Sequence, residues 1–133
     1  MIGVWVAAGA VLFAVAFGLY RARTDGRFRT STPAPPAAWH GHELGERATL
    51  IQFSSAFCAP CRVTRRILED VAATEEGVVH VDIDAEAELA LVRELGIVRT
   101  PTTLILNSAG EEIARAAGAP RKEQVLSALP HPS

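Results

Sequence analysis

The sequence predicts an α/β protein in which a central mixed four-stranded sheet is flanked by helices and preceded by one transmembrane helix. Three observations carry this reading. Residues 2–20 hold no charged side chain. Further along, short apolar runs of strand type alternate with stretches whose apolar residues recur every three to four positions, the pattern of strands and helices packed in layers. The only two cysteines, Cys58 and Cys61, stand where the first such run meets the first such stretch.

The uncharged run comes first. As a helix it spans about 28 Å, close to the roughly 30 Å hydrocarbon core of a bilayer. A cleaved signal peptide would carry a positive region before a shorter apolar run, and no lysine or arginine precedes this one. A buried soluble helix of this length would show a polar face. The run is therefore read as a membrane anchor through residues 2–20, in contact with the lipid bilayer. Gly3, Gly9 and Gly18 lack the four-residue spacing of close-packed membrane helices, so a monomer is expected.

Charge then sets orientation. Arg21, Arg23, Arg27 and Arg29 oppose one Asp25, a local +3, which leaves −5 of the total −2 to the other residues. By the positive-inside rule this flank and everything after it lie in the cytoplasm. A mildly acidic domain behind a small basic flank does not describe a nucleic-acid binder. Residues 30–38 include Pro33, Pro35 and Pro36 and read as a partly polyproline spacer. The domains are thus 2–20 transmembrane helix, 21–42 basic flank and proline-rich linker, and 43–133 globular domain. Trp39 is read as covering an apolar edge, and His40 and His42 as surface histidines.

Within the globular part, residues 49–54 form a strand that leads directly into the cysteines. Val63, Ile67, Leu68 and Val71 then mark one face of a helix. Arg65 with Glu69 and Arg66 with Asp70 stand four apart, as helix ion pairs do. Gly77 ends the helix, and residues 78–82 form a second strand, parallel to the first because a helix separates them. Residues 86–95 are a helix with Leu89, Val92 and Leu95 facing inward and Gly96 as its stop. Residues 102–106 and 111–116 form a hairpin around Asn107 and Gly110. Residues 122–129 close the chain as a helix through Val125, Leu126 and Leu129.

Two thiols two residues apart cannot form a long-loop structural disulfide, so their uses are chemistry, a metal, or none. At a helix start they fall within disulfide reach, and the helix N-terminus lowers the pKa of the leading thiol. Cys58 is then the exposed attacking thiolate and Cys61, one turn in, the resolving thiol. Pro60 is compatible with the first helical turn, whose N–H groups lack internal partners. Ala59 lies between the sulfurs, where side chains tune the redox poise, and Arg62 adds positive charge beside them. A zinc site completed by His40 and His42 does not match the usual spacing, so no metal and no cofactor are expected. Thr100-Pro101 lies between a helix stop and a strand, where a cis bond would shape a tight approach to the sheet edge. In such a geometry the Thr100 backbone can pair with an extended substrate segment beside Cys58.

Phe53, Phe57-Cys58-Ala59-Pro60-Cys61-Arg62, Gly96-Ile97, Thr100-Pro101-Thr102 and Gly118 together resemble the thioredoxin family over residues 49–129. The resemblance implies a thioredoxin-like fold, with Cys58 as nucleophile, Cys61 as resolver and Pro101 as a cis proline beside them. Three positions depart from the family pattern. Phe57 replaces the usual tryptophan, keeping an aromatic lid without its indole donor. Ala59 replaces glycine. Gln52 stands where thioredoxins carry a buried aspartate, and an amide cannot titrate, so any proton handling there passes to water or is absent. The family's extra N-terminal strand has little signal here, so a fifth strand is at most marginal.

The function expected is a membrane-tethered thiol-disulfide oxidoreductase that exchanges disulfides with proteins and is recycled by a redox partner. A cytoplasmic domain makes it a protein-disulfide reductase. Analogy with tethered relatives favours an extracytoplasmic domain instead, but the basic flank is the more direct observation. The non-enzymatic alternative is a binding module that holds a partner at the Pro101 edge, which the intact cysteine pair argues against. A peroxidase or a glutathione-dependent enzyme would need a peroxide or glutathione site that is not identifiable.

Overall fold

The computed structural model describes residues 1–30, 39 and 41–131. The uncharged run forms α1 (Ile2–Thr24), with Arg21 and Arg23 in its last turn, where cations oppose the negative end of the helix dipole. None of its residues is buried. The chain then turns at Gly26, whose φ of 73° suits glycine, and the Gly26 N–H donates to the Ala117 carbonyl at 2.8 Å. A Cβ at Gly26 would overlap the Ala119 carbonyl. The globular part therefore takes hold of the chain one residue beyond the helix cap at Asp25.

Next come β1 (Arg29–Thr30), β2 (Ala48–Ser54), α2 (Ala59–Thr74), β3 (Val78–Asp84), α3 (Leu89–Leu95), β4 (Thr102–Asn107), β5 (Glu112–Ala117) and α4 (Lys122–Ala128). The sheet order is β1-β5-β4-β2-β3. Only β2 and β3 run parallel; the other pairs are antiparallel. The sheet thus has five strands rather than the four expected. The extra one is two residues long, too short to show a period, and exists through pairing of Arg29 with Arg115 and Thr30 with Ala114. It lies in the stretch read as flank and linker; of the proline-rich residues, 31–38 lie outside the described residues, as does His40.

All seven residues of β2 are buried, because helices cover both faces of the sheet. Ala48 and Leu50 meet Leu68 and Val71 of α2 and Val125 of α4 on one face. Ile51 and Phe53 meet Ile83, Leu104, Leu106 and Trp39 on the other, with Val92 and Leu95 of α3 packed against them. Trp39 is 2% exposed, as expected for a residue covering an apolar edge.

Local expectations fail where a tertiary contact competes. The buried stripe of α2 is Cys61, Thr64, Leu68 and Val71, whereas Val63 is 53% exposed. The Arg65 guanidinium pairs with Asp82 on β3 at 2.7 Å rather than with Glu69, and Asp70 pairs with Lys122 rather than Arg66. α3 starts at Leu89, not at residue 86, because the Asp84 carboxylate accepts from the Glu86 N–H and holds a turn there. That shift leaves Leu89 exposed and puts Leu91 beside Val92 and Leu95 against the core.

Leu68→Ala should destabilise the full chain in detergent by about 2–5 kcal/mol in urea unfolding, the range for a cavity at a fully buried leucine. Val63→Ala should change it by no more than about 0.5 kcal/mol. Equal effects would contradict this choice of buried face.

Candidate active site

The central strand delivers the site. β2 ends at Ser54, and Phe57 takes a left-handed φ of 58°, a conformation costing a non-glycine residue about 1 kcal/mol. This turn starts α2 directly after Cys58, which occupies the N-cap with a φ of −108° and a ψ of 99°. Ala59 and Pro60 form the first helical positions, where proline needs no N–H partner. The Phe57 side chain is fully exposed at the rim of this turn.

Cys58 and Cys61 are joined in a disulfide with their Cα atoms 5.2 Å apart. The Cys61 N–H donates to Cys58 Sγ at 3.2 Å. In the reduced protein that amide and the helix dipole act on the same sulfur, and both favour its thiolate. Cys58 is half-buried, while Cys61 is 1% exposed. The mouth around Cys58 is a cavity of about 490 Å³ bordered by Ser55, Phe57, Ala59, Arg62 and Arg65.

The Thr100-Pro101 bond is cis. Its position is set from three sides. The Thr100 hydroxyl shares a hydrogen bond with that of Ser55 at 2.8 Å, the Thr102 hydroxyl donates to the Arg99 carbonyl at 2.6 Å, and the Gly118 N–H donates to the Pro101 carbonyl at 2.8 Å. Ser55 thus ties the cis-proline segment to the turn that carries the cysteines. The sequence reading did not single out Ser55; its only signal was its place between the strand and Cys58. His42 is exposed and is not among the residues that border this mouth.

Gln52 lies fully buried beneath this turn. Its Nε2 donates to the Cys61 carbonyl at 2.8 Å, and its Oε1 lies 3.0 Å from His80 Nε2. A carbonyl can only accept, so the amide must turn its NH2 toward Cys61, and its oxygen is left for the imidazole. The neutral imidazole therefore carries its proton on Nε2. Burial pushes the His80 pKa below 6.5, against the upward pull of Asp82 and Glu69 and with a smaller downward push from Arg65. The chain thus places a titratable group next to the amide, where proton handling is expected from the sequence to pass to water or be absent.

The thioredoxin family model matches residues 37–131. The chain belongs to the thioredoxin family. It is 27% identical over 118 residues to thioredoxin H2-1 of Oryza sativa subsp. japonica, covering 74% of this chain and 85% of that one. A thioredoxin of Mycolicibacterium smegmatis is 33% identical over 87 residues, covering 62% and 76%. Among solved structures, a mutant thioredoxin from Halobacterium salinarum NRC-1 superposes with a TM-score of 0.57 at 21% identity, covering 66% and 80%. With its Cys58–Cys61 pair at bonding distance in a thioredoxin fold, the chain is a thiol-disulfide oxidoreductase acting on protein dithiols and disulfides. α1 and β1 precede the region matched by the family model.

Because the folded pKa of His80 lies below 6.5, unfolding takes up a proton as pH falls through that value. The stability due to neutral His80 is complete above pH 6.5 and is lost as pH falls through the folded pKa. His80→Gln should flatten this part of the pH dependence of urea midpoints for the full chain in detergent. An unchanged slope would contradict the assignment.

Proposed function

We propose that this thioredoxin is anchored to a membrane by residues 2–20 and works as a protein-disulfide reductase, with Cys58 as nucleophile and Cys61 as resolving thiol. The observation that carries the thiol assignment is the Cys61 N–H on Cys58 Sγ at the N-terminus of α2, with Cys61 itself buried. The Cys58 thiolate attacks one sulfur of a substrate disulfide; the other sulfur leaves as a thiolate and takes a proton from water. Cys61 then gives up its proton to water and attacks Cys58 Sγ. This forms the Cys58–Cys61 disulfide and releases the second substrate thiolate. Two electrons pass to the substrate, and an external dithiol partner must return them. Phe57, Ala59 and Pro60 shape the mouth, while the Thr100-Pro101 edge receives the extended substrate backbone.

The anchor is supported by the 23-residue length of α1 and by its exposed Trp5, Leu12, Phe13 and Phe17. Each large apolar side chain moved from water to hydrocarbon contributes roughly 1.5–3 kcal/mol. The arginines at 21, 23, 27 and 29 favour a cytoplasmic domain, where reduction of disulfides is the fitting direction.

Cys61→Ser should accumulate a mixed disulfide with a protein substrate through Cys58, seen as a reducible band shift, and Cys58→Ser should accumulate none. Trapping through Cys61 instead would reverse the roles. A binding module would trap neither and would lack insulin reduction by the wild type. A membrane-impermeant maleimide should label the reduced pair only after lysis; labelling in intact cells would put the domain outside.

A further inference from the structure

The cleft between the end of α1 and the β1–β5 edge takes no part in the disulfide chemistry. Its volume is about 640 Å³. Phe17 and Tyr20 from the last turns of α1 form one side, and Arg27, Arg29, Arg99 and Arg115 border the rest, with Arg21 also lining it. Two of these guanidinium groups are already neutralised. Arg99 pairs with Asp25, and Arg115 pairs with Glu112 at 2.7 Å while donating to the Leu95 carbonyl. Arg21, Arg27 and Arg29 form no ion pair among the described residues.

Three uncompensated cations in one recess repel each other and call for an anion. The aromatic wall makes the fitting ligand amphipathic. Phe17 and Tyr20 also close the uncharged run, at the depth where hydrocarbon gives way to headgroups. We propose that this cleft holds the phosphate of an anionic phospholipid, with the acyl chain lying along Phe17 and Tyr20. The inference rests on the reading of α1 as a membrane anchor. A seated headgroup also bears on substrates. The Gly26 to Ala117 hydrogen bond and the Asp25–Arg99 pair leave little slack between α1 and the domain. Arg99 directly precedes Thr100-Pro101, so the bound lipid holds the substrate edge against the bilayer and favours disulfides presented at its surface.

The test uses the full chain reconstituted in vesicles of equal phosphatidylcholine and phosphatidylglycerol, then released into mild detergent for native mass spectrometry. Phosphatidylglycerol should be retained over phosphatidylcholine by at least about tenfold. An Arg27→Glu/Arg29→Glu double variant should lose that preference, and Arg27→Lys/Arg29→Lys should keep most of it, which separates charge from fold. An alkaline carbonate wash of the same vesicles separates the two readings. Wild type that stays in the bilayer without headgroup preference overturns the lipid site alone, whereas wild type that washes off overturns the anchor and the site together. Retention of inorganic phosphate with no lipid preference would also overturn the proposal, as a site for free anions.

Discussion

Both backbone groups of Cys61 are held: its N–H donates to Cys58 Sγ, and its carbonyl accepts from the buried Gln52 amide. The first contact places a donor on the outer sulfur; the second anchors the first turn of α2 to the central strand. The inner sulfur has little freedom as a result, and the outer one sits at the mouth of the site. The rest of the fold supports this turn. The buried face of α2 fixes the direction of the helix, Arg65 ties its solvent side to Asp82, and Ser55 ties the preceding turn to Thr100.

The interior beneath the cysteines carries an uncharged amide at Gln52. A buried carboxylate would carry a charge or a proton directly under Cys61, whereas Gln52 carries neither. What titrates here is His80, one hydrogen bond further away and on a neighbouring strand. Its own environment is mixed, with Asp82 and Glu69 drawing a proton in while burial and Arg65 keep it out. Below its folded pKa, His80 becomes a cation on the Gln52 side of the turn, and a positive charge there favours a Cys61 thiolate.

Much of this was legible in the sequence, because alternation of apolar runs is a local property. The strand before the cysteines, the parallel second strand, the hairpin and the closing helix all followed from spacing. The cysteine pair followed from its place between a strand and a helix. What escaped was set by register and by distant partners. Gln52 and His80 are 28 positions apart, and Ser55 and Thr100 are 45 apart, so each pair meets only because of how the strands align. β1 has two residues and takes its identity wholly from β5. The helix ion pairs failed for the same reason, since Asp82 and Lys122 approach α2 from other elements and compete with neighbours one turn away.

The end of α1 runs almost directly into the sheet, with Gly26 bonded to Ala117 and Asp25 to Arg99. The end of α1 and the cis-proline segment are therefore close in the chain of contacts, although 74 residues separate Asp25 from Arg99. The central claim concerns the sulfurs themselves and is best tested by alkylation. The reduced full chain would be treated with iodoacetamide across pH, with each modified cysteine identified by peptide mass. Cys58 should react first, with a pKa below the roughly 8.5 of a free thiol, while Cys61 stays largely unmodified. Equal rates at the two cysteines, or a Cys58 pKa at or above the free-thiol value, would contradict it.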